Sequence, residues 1–321
     1  MCHNSLFEQC TSMSQEEARL TPKQTSTLNQ ILRLGGDRGL SKEGLATELK
    51  LYIANLTENK LVKFPEKSVY FTKSDYMAIQ RCETQYIVNK ENYVKSSTPQ
   101  IPTIVGQLSH KAVQMSYTHP NKSADHYVRN SILGLRASDA NFDEFMSTCG
   151  EYIQSDIIAQ TISKVTNFMD DWPRLDPSWG TRFEEPLSCK IGKLTLSGRA
   201  DFIIGRPRTD SKRTLLIVDL KTGNVKDEHR EEALFYALVA TLRYEIMPWR
   251  SIIYSLASGE YTQLDFTEED LFEAATKVSL SVNNYVEIMS EQRDKKYSYG
   301  DHCNYCPIKL TCLEYKKNSD H

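Results

Sequence analysis

Two short stretches near the middle of the chain decide its fold: Gly198-Arg199-Ala200-Asp201 and Ile217-Val218-Asp219-Leu220-Lys221-Thr222-Gly223. Residues 200–204 and 214–220 are rich in β-forming residues, and a turn containing Gly and Pro separates them. The pattern predicts two neighbouring strands in an α/β protein. Asp201 is expected on the first strand and Asp219 near the end of the second.

These two carboxylates are candidate ligands of a hard divalent cation. Mg²⁺ binds a few carboxylates and keeps several waters, and the backbone carbonyl of Leu220 is a further candidate ligand. Lys221 lies two residues beyond Asp219, so a strand would turn both side chains to the same side. There Lys221 can orient or help deprotonate a metal-bound water, or stabilise charge developing on a phosphate. Taken singly, each charge is more often a solvated strand end.

Two predicted helices carry further candidates. His110 lies on a helix expected from 106 to 117 and is a third candidate metal ligand, because imidazole beside carboxylates favours Mn²⁺ without excluding Mg²⁺. Glu232 and Tyr236 lie four residues apart, on one face of a helix expected from 227 to 243. They are candidates for contacting a substrate or supporting the site. Taken alone, a helical His is more often structural, and such a Glu–Tyr pair more often serves packing.

The cysteines form a second signal. Eight occur, at positions 2, 10, 82, 149, 189, 303, 306 and 312. The last three have the spacing Cys303-x2-Cys306-x5-Cys312, which lets one loop wrap a metal. Cys82 on an upstream helix is the candidate fourth ligand, and His302 is the alternative. Spacing alone fits structural zinc as well as an iron–sulfur cluster. The remaining four are expected to be free thiols: Cys2, Cys10, Cys149 and Cys189.

The strand motif, taken whole, resembles the RecB-like branch of the PD-(D/E)XK nuclease superfamily. The resemblance implies a restriction-endonuclease-like core, in which helices flank a central mixed sheet. It assigns catalytic and metal-binding roles to four residues of this chain: His110, Asp201, Asp219 and Lys221. The family also has a Gln four residues before a Tyr on the next helix. Tyr236 fits that pattern, but Glu232 occupies the Gln position, so the family's substrate contact is not carried over there.

Cys82 together with the C-terminal cysteines is similar to the iron–sulfur nucleases, which include the AddB nuclease domain and the CRISPR-associated RecB-like exonucleases. That resemblance covers roughly residues 66–316. It implies a [4Fe–4S] cluster held by Cys82, Cys303, Cys306 and Cys312, and it favours iron–sulfur over zinc. Such a cluster would join an N-terminal helix to the C-terminal segment.

The chain divides into a helical extension, 1–65, and a nuclease domain, 66–321. In the extension, one helix is expected from Thr21-Pro22 to about residue 33, and Ser41 is expected to cap a second that runs to about residue 56. The pair reads as a helical hairpin for packing or for contact with a partner protein, or as a helix-turn-helix DNA reader. Further helices are expected over 142–168, over 268–289 and in the segment that follows Ser68–Phe71, where Thr72 or Ser74 can be the cap.

The composition is that of a soluble globular protein, with 40% hydrophobic and 25% charged residues. The net charge of −3 is less basic than that of a DNA-coating protein, although an enzyme that binds nucleic acid in one groove need not be basic. Basic residues dominate 190–213, either as a solvated hairpin edge or as a nucleic-acid contact. No apolar run approaches the roughly 18–20 residues of a membrane span, and no signal peptide is recognised, so a cytoplasmic location is expected.

The expected activity is metal-dependent hydrolysis of DNA phosphodiesters by a metal-activated water. The resemblance implies an exonuclease acting on single-stranded DNA ends. No Gly-x4-Gly-Lys-Ser/Thr loop occurs, so the chain is not itself a P-loop helicase. The alternative is a catalytically weak DNA-binding adaptor or an end-processing subunit of a defence, recombination or repair complex, docked through residues 1–65.

Overall fold

The computed structural model describes residues 20–32, 38–91, 99–207 and 212–319. Within them the strands are β1 (Val69–Thr72), β2 (Arg182–Ile191), β3 (Leu194–Ile204), β4 (Leu216–Lys221), β5 (Arg250–Ser255) and β6 (Tyr261–Asp265). The α-helices are α1 (Pro22–Ser26), α2 (Leu45–Lys63), α3 (Lys73–Arg81), α4 (Glu83–Glu91), α5 (Ile101–Thr118), α6 (Ala124–Ser138), α7 (Ala140–Thr148), α8 (Glu151–Asp171), α9 (Glu228–Tyr244), α10 (Glu268–Met289) and α11 (Leu313–Ser319). Short 3₁₀ or π turns lie at Thr27–Ile31, Pro177–Trp179 and Asp301–Tyr305.

The strands form one mixed sheet in the order β1-β3-β4-β5-β6, and β2 also pairs with β3. The pairs β1–β3 and β4–β5 are parallel, whereas β2–β3, β3–β4 and β5–β6 are antiparallel. Helices cover both faces. The predicted α/β class with a mixed central sheet flanked by helices is confirmed.

The two faces of the sheet bury separate apolar cores. Helices α2, α9 and α10 cover the first core, in which Leu49 and Phe235 are fully buried. Helices α5, α6 and α8 cover the second, in which Val113 and Phe168 are buried to the same degree. Helices α5 and α9 therefore approach the strands from opposite faces. At about 25 cal/mol per Å² of apolar surface, burial in these cores is the main stabilising contribution to the fold.

Pairing between β3 and β4 ends where the two predicted carboxylates begin. The registered pairs run from Ile204–Leu216 to Phe202–Val218, so Asp201 and Asp219 are the next residues of the two strands. Beyond them the strands separate. This separation, or fork, of the two strands leaves room for both side chains. Continued pairing of the strands would fill that room.

Strand β2 is irregular beside the same point. It pairs with β3 through Phe183–Phe202 and Glu185–Ala200, but Glu184 and Asp201 between them are not registered partners. Glu184 has a φ of 50°, a left-handed conformation that costs an L-residue about 1–2 kcal/mol. The distortion turns the Glu184 side chain out of the regular alternation of the strand.

Several predicted helices are confirmed, but their ends differ. Thr72 caps α3 in a reciprocal box with Asp75, and α10 has the predicted bounds. The assignment of Ser41 as a cap is wrong: α2 begins at Leu45 after Gly44, whose φ is 77°. The Ser41 hydroxyl instead accepts a hydrogen bond from the backbone N–H of Met247 at 3.1 Å.

Other expectations need correction. The helix predicted over 142–168 is two helices, α7 and α8, separated at Cys149 and Gly150. The strand predicted over 200–204 begins earlier, at Leu194, as part of the continuous strand β3. Strands β2, β5 and β6 and helix α6 were not anticipated. No helix in the described ranges combines the length and apolarity needed to span a bilayer.

Candidate active site

The predicted strand carboxylates and the helical His meet at the fork between β3 and β4. His110 Nδ1 on α5 lies 3.1 Å from Oδ1 of Asp201. The other oxygen of Asp201 accepts a hydrogen bond from the backbone N–H of Leu220 on β4. Asp201 thus connects helix α5, strand β3 and strand β4, which fixes its carboxylate relative to the backbone that carries Asp219.

Lys221 lies where the strand alternation predicts, beside Asp219. Its Nζ is 2.8 Å from Oδ2 of Asp219 and 2.8 Å from Oε2 of Glu232 on α9. The same Glu232 oxygen lies 2.9 Å from Nζ of Lys73, the first residue of α3. The four side chains form one chain of alternating charge that is mostly withdrawn from solvent. Sequence reasoning missed Lys73, because nothing in its local sequence indicates the contact with α9.

A third carboxylate stands beside His110 and Asp201. One ring nitrogen of His110 and one oxygen each of Glu184 and Asp201 all lie within 4.8 Å of one another. In the part of the chain that the structure describes, this is the one set of three or more His, Cys, Asp and Glu side chains with that spacing. Asp219 lies outside this set and pairs with Lys221. Glu184 was missed because it belongs to the unanticipated strand β2 and faces the site only through its left-handed φ.

Tyr236 lies behind the site, 4% exposed. A Cβ atom added to Gly198 would lie 2.9 Å from Cε1 of Tyr236, so the ring occupies the space that the absent Gly198 side chain leaves free. The ammonium of Lys73 lies 5.8 Å from the centroid of the same ring. The first Gly of the Gly-Arg-x-Asp motif therefore permits Tyr236 to pack against β3 beneath the charged chain.

The four candidate cluster cysteines line one small cavity. Cys82 is the residue that ends α3, Cys303 lies in the 3₁₀ turn Asp301–Tyr305, and Cys306 and Cys312 follow. Burial raises the pKa of the Cys306 thiol, and the other three sulfurs raise it further. His302 lines the cavity as well, and its Nε2 lies 3.0 Å from the carbonyl oxygen of Ser298. The structure thus brings the thiol of Cys82 together with the three thiols of the C-terminal segment 303–312. This donor set suits a metal or cluster.

The other cysteines lie elsewhere. Cys149 and Cys189 form no disulfide, and neither lines the cavity of the four. Cys2 and Cys10, which were expected to be free thiols, lie outside the described residues. The basic turn between β3 and β4 is also only partly within the described ranges.

Comparison with known proteins establishes the family. A model of the PD-(D/E)XK nuclease superfamily matches residues 70–313, about three quarters of the chain. The chain belongs to the PD-(D/E)XK nuclease superfamily. A nuclease domain implies a nucleic-acid substrate, and the compact set of His110, Glu184 and Asp201 could hold a metal ion suited to that chemistry.

Solved structures resemble this PD-(D/E)XK superfamily member only distantly. One is a candidate exonuclease from Eubacterium rectale, with 12% sequence identity and a TM-score of 0.45, covering 76% of this chain and 93% of the other. Another is the protein SSO0001, with 11% identity and a TM-score of 0.31, covering 83% of this chain and 96% of the other. No curated protein matches the sequence.

The charges of the candidate active site favour binding of a cation. Burial lowers the pKa of His110, but the Asp201 carboxylate outweighs burial and raises it to about 9. Burial raises the pKa of Asp219 to about 6, with a further contribution from Asp201 and opposition from Lys221. Burial and Asp201 also raise the pKa of Glu184. Burial and mutual repulsion thus disfavour the ionised form of these carboxylates, and a divalent ion would neutralise the same charge.

Lys221 and its partner Glu232, in the same candidate site, are both ionised. Burial opposes the charge on Lys221, but Asp219 and Glu232 raise its pKa well above the usual range. Burial likewise opposes ionisation of Glu232, yet Lys221 and Lys73 lower its pKa to about 2. Burial and the neighbouring carboxylates raise the pKa of Tyr236, so its phenol stays protonated. Lys221 is therefore an ammonium that can donate hydrogen bonds to a phosphate.

Polar contacts hold the segment that precedes the C-terminal cysteines against helix α4. The Arg293 guanidinium forms two hydrogen bonds with the carboxylate of Glu83, each of 2.8 Å. The N–H of Thr84 donates to the carbonyl of Lys296 at 3.1 Å. Helix α4 is thus joined to residues 293–302 beside the four thiols.

Proposed function

We propose that the chain is a divalent-metal-dependent deoxyribonuclease of the RecB-like branch, acting as an exonuclease on single-stranded DNA ends. One observation carries the proposal. His110, Glu184 and Asp201 present ligand atoms within 4.8 Å of one another beside the Lys221–Asp219 pair, in a chain of the PD-(D/E)XK superfamily. Metal-dependent hydrolysis of a phosphodiester needs carboxylates that bind the metal and an ammonium that stabilises the phosphate, all in one place.

The proposed roles follow from the positions of the side chains. His110, Glu184 and Asp201, together with Asp219 and the Leu220 carbonyl, would hold Mg²⁺ or Mn²⁺, which supplies Lewis acidity and lowers the pKa of a bound water. Lys221, held by Asp219 and Glu232, donates hydrogen bonds to the phosphate and stabilises its developing charge. A lysine with a raised pKa keeps its proton, so phosphate stabilisation is favoured over proton abstraction. In this chain Glu232 holds the lysine, and Tyr236 supports Lys73 and β3.

The direct test compares cleavage of end-labelled single-stranded DNA by anaerobically purified wild type, Asp219→Ala and Lys221→Ala, each with Mn²⁺ and with Mg²⁺. Activity of the wild type that is lost in both variants supports the proposal, and the product ladder gives the polarity. A folded wild type that binds DNA but cleaves neither DNA nor RNA would instead support the adaptor role through residues 1–65. Cleavage of RNA alone would overturn the DNA assignment.

We also propose that Cys82, Cys303, Cys306 and Cys312 hold a [4Fe–4S] cluster that joins α3 to the C-terminal segment. The four thiols that line one cavity support this assignment. The test is the iron, acid-labile sulfide and zinc content of anaerobically purified protein, beside Cys303→Ala. Iron and sulfide that the variant loses support the cluster. Zinc alone would assign a structural zinc site instead, and absence of both metals would overturn either metal assignment.

A further inference from the structure

One face of helix α5 lines two clefts that follow each other along its axis. The first, the active-site cleft, has a volume of about 590 Å³ and contains His110 and Gln114 of α5 together with the candidate metal ligands Glu184 and Asp201. The second has a volume of about 710 Å³ and begins at Tyr117 and Thr118 of the same helix. Residues three, four and seven apart on a helix share one face. The two clefts therefore adjoin along α5.

Strand β2 forms the opposite wall of both clefts. Glu184 lines the active-site cleft, and its neighbours Arg182 and Phe183 line the second. The eight residue steps from His110 to Thr118 span about 12 Å at 1.5 Å per step. At about 3.4 Å per stacked nucleotide, that length accommodates about three nucleotides beyond the candidate metal site.

The second cleft combines exposed arginines with aromatic rings. Arg174 and Arg206 lie at its rim and are exposed. Half-buried rings of Tyr117, Phe183 and Tyr244 line its walls. Proteins bind single-stranded nucleic acid with this combination: cations contact the phosphates, and aromatic faces stack on the bases.

The other charged groups of this cleft are already engaged within the protein. Arg182 donates to the carbonyls of Gly180 and Gly205 and lies 3.5 Å from Glu185. Asp176 accepts the N–H of Ser178 at 2.8 Å. Arg174 and Arg206 are thus the cations of the cleft that are positioned for an outside phosphate.

We infer that this second cleft, which we term the arginine cleft, holds the stretch of single-stranded nucleic acid next to the scissile phosphodiester. The inference rests on the proposed nuclease function and names the path of its substrate. The strand passes from the candidate metal ligands along α5, its phosphates contacting Arg174 and Arg206 and its bases lying against the aromatic wall.

The test measures binding of a fluorescently labelled single-stranded oligonucleotide by anisotropy, without added divalent cation, over a series of salt concentrations. The variant is Arg174→Gln/Arg206→Gln, and the matched control is Lys63→Gln/Lys67→Gln. The control lysines are also exposed: Lys63 ends α2 and Lys67 follows it, on the opposite face of the sheet. Loss of two phosphate contacts should weaken binding roughly fivefold or more and reduce the slope of log K against log salt by about 1.4. The control should change neither quantity.

Thermal melting first establishes that both double variants are folded. Arg174→Gln alone, expected to reduce the slope by about 0.7, is the second variant if the double variant does not fold. Unchanged binding by the arginine variants, or equal weakening by the lysine control, would overturn the inference. So would a wild type that binds no single strand. A wild type that binds through the two arginines but cleaves no phosphodiester would leave the arginine cleft standing and overturn the nuclease proposal alone.

Discussion

Oε2 of Glu232 lies 2.8 Å from Nζ of Lys221. Glu232 occupies the position at which the RecB-like family has Gln. It is thus a direct partner of the candidate catalytic lysine. A second lysine, Lys73, contacts the same oxygen. A neutral amide would leave two half-buried ammonium groups close together with less compensation, so the Glu at this position and Lys73 are electrostatically matched.

We therefore expect Glu232→Gln to lower kcat roughly tenfold, the equivalent of about 1.4 kcal/mol. Removal of the carboxylate lowers the pKa of Lys221, so the basic limb of the pH–rate profile should move to lower pH. The double variant Lys73→Met/Glu232→Gln should recover part of the rate, because the extra ammonium is gone. A pH profile unchanged in Glu232→Gln would contradict this coupling.

Glu184 should set the cation affinity of the site. Glu184→Gln removes one of three charged or basic ligands within 4.8 Å, so the Mn²⁺ concentration for half-maximal activity is expected to rise tenfold or more. Glu151→Gln is the control, since Glu151 is exposed at the start of α8. Equal Mn²⁺ midpoints in the Glu184 and Glu151 variants would show that Glu184 is not a ligand.

The stability of the metal-free protein should depend on pH through His110. Its pKa in the folded protein is about 9, above the value of about 6.5 in an unfolded chain. The resulting stabilisation is fully present below about pH 6.5 and is lost as the pH rises to 9. The melting temperature should fall over this window in the wild type and fall less in His110→Gln. Stabilisation by added Mn²⁺ should grow over the same window, because imidazole must lose its proton to bind metal.

The exposed His119, which caps the C-terminal end of the same helix, provides the comparison. His119→Gln should retain the wild-type dependence of the melting temperature on pH. If the His110 and His119 variants give the same curve as the wild type, the ion pair between His110 and Asp201 does not contribute to stability.

Gly198 should tolerate no side chain. The Cβ of Gly198→Ala would meet Tyr236 at 2.9 Å, and relief of such a clash typically costs about 1–3 kcal/mol. Gly106→Ala on α5 is the matched control, because its Cβ would meet nothing within 4 Å and Ala favours a helix over Gly by about 1 kcal/mol. Urea unfolding measures both. A Gly198 variant as stable as the wild type would show that Tyr236 can move aside freely.

Cys303→Ala should lower the melting temperature as well as the metal content. A group bound by Cys82 and Cys303 closes a long loop, and the loss of that closure frees chain entropy in the segment it holds. Cys149→Ala is the control thiol, since Cys149 lies outside the cavity of the four. Calorimetry that finds equal melting temperatures for the wild type and Cys303→Ala would contradict a structural role for the cluster.

Local signals in the sequence were enough to place the strands that carry Asp201 and Asp219 and the helix that follows Thr72. These features depend on residues a few positions apart. Strand β5 escaped prediction because its apolar run is only three residues long, from Ile252 to Tyr254, and the flanking polar residues do not alternate with apolar ones, although the whole strand is buried.

The partners of the site depend on tertiary structure. Lys73 reaches Glu232 across 159 residues of chain, and no local pattern encodes that contact. The Glu184 side chain faces the site because its backbone is left-handed, and the local sequence Phe183-Glu184-Glu185 does not predict that conformation. The meeting of α5 and β3 was suggested by family resemblance alone, since sequence spacing cannot say which helix face lies against which strand.

The contact between Gln85 and His302 spans 217 residues, with the Gln85 amide donating to the His302 carbonyl at 3.0 Å. During translation, Gln85 of helix α4 has no His302 partner until the ribosome has synthesised residue 302. The ends of this contact cannot meet in a shorter nascent chain, so helices α3 and α4 reach their final surroundings only late in synthesis. A ribosome stalled before residue 302 would therefore display these helices without their partner segment.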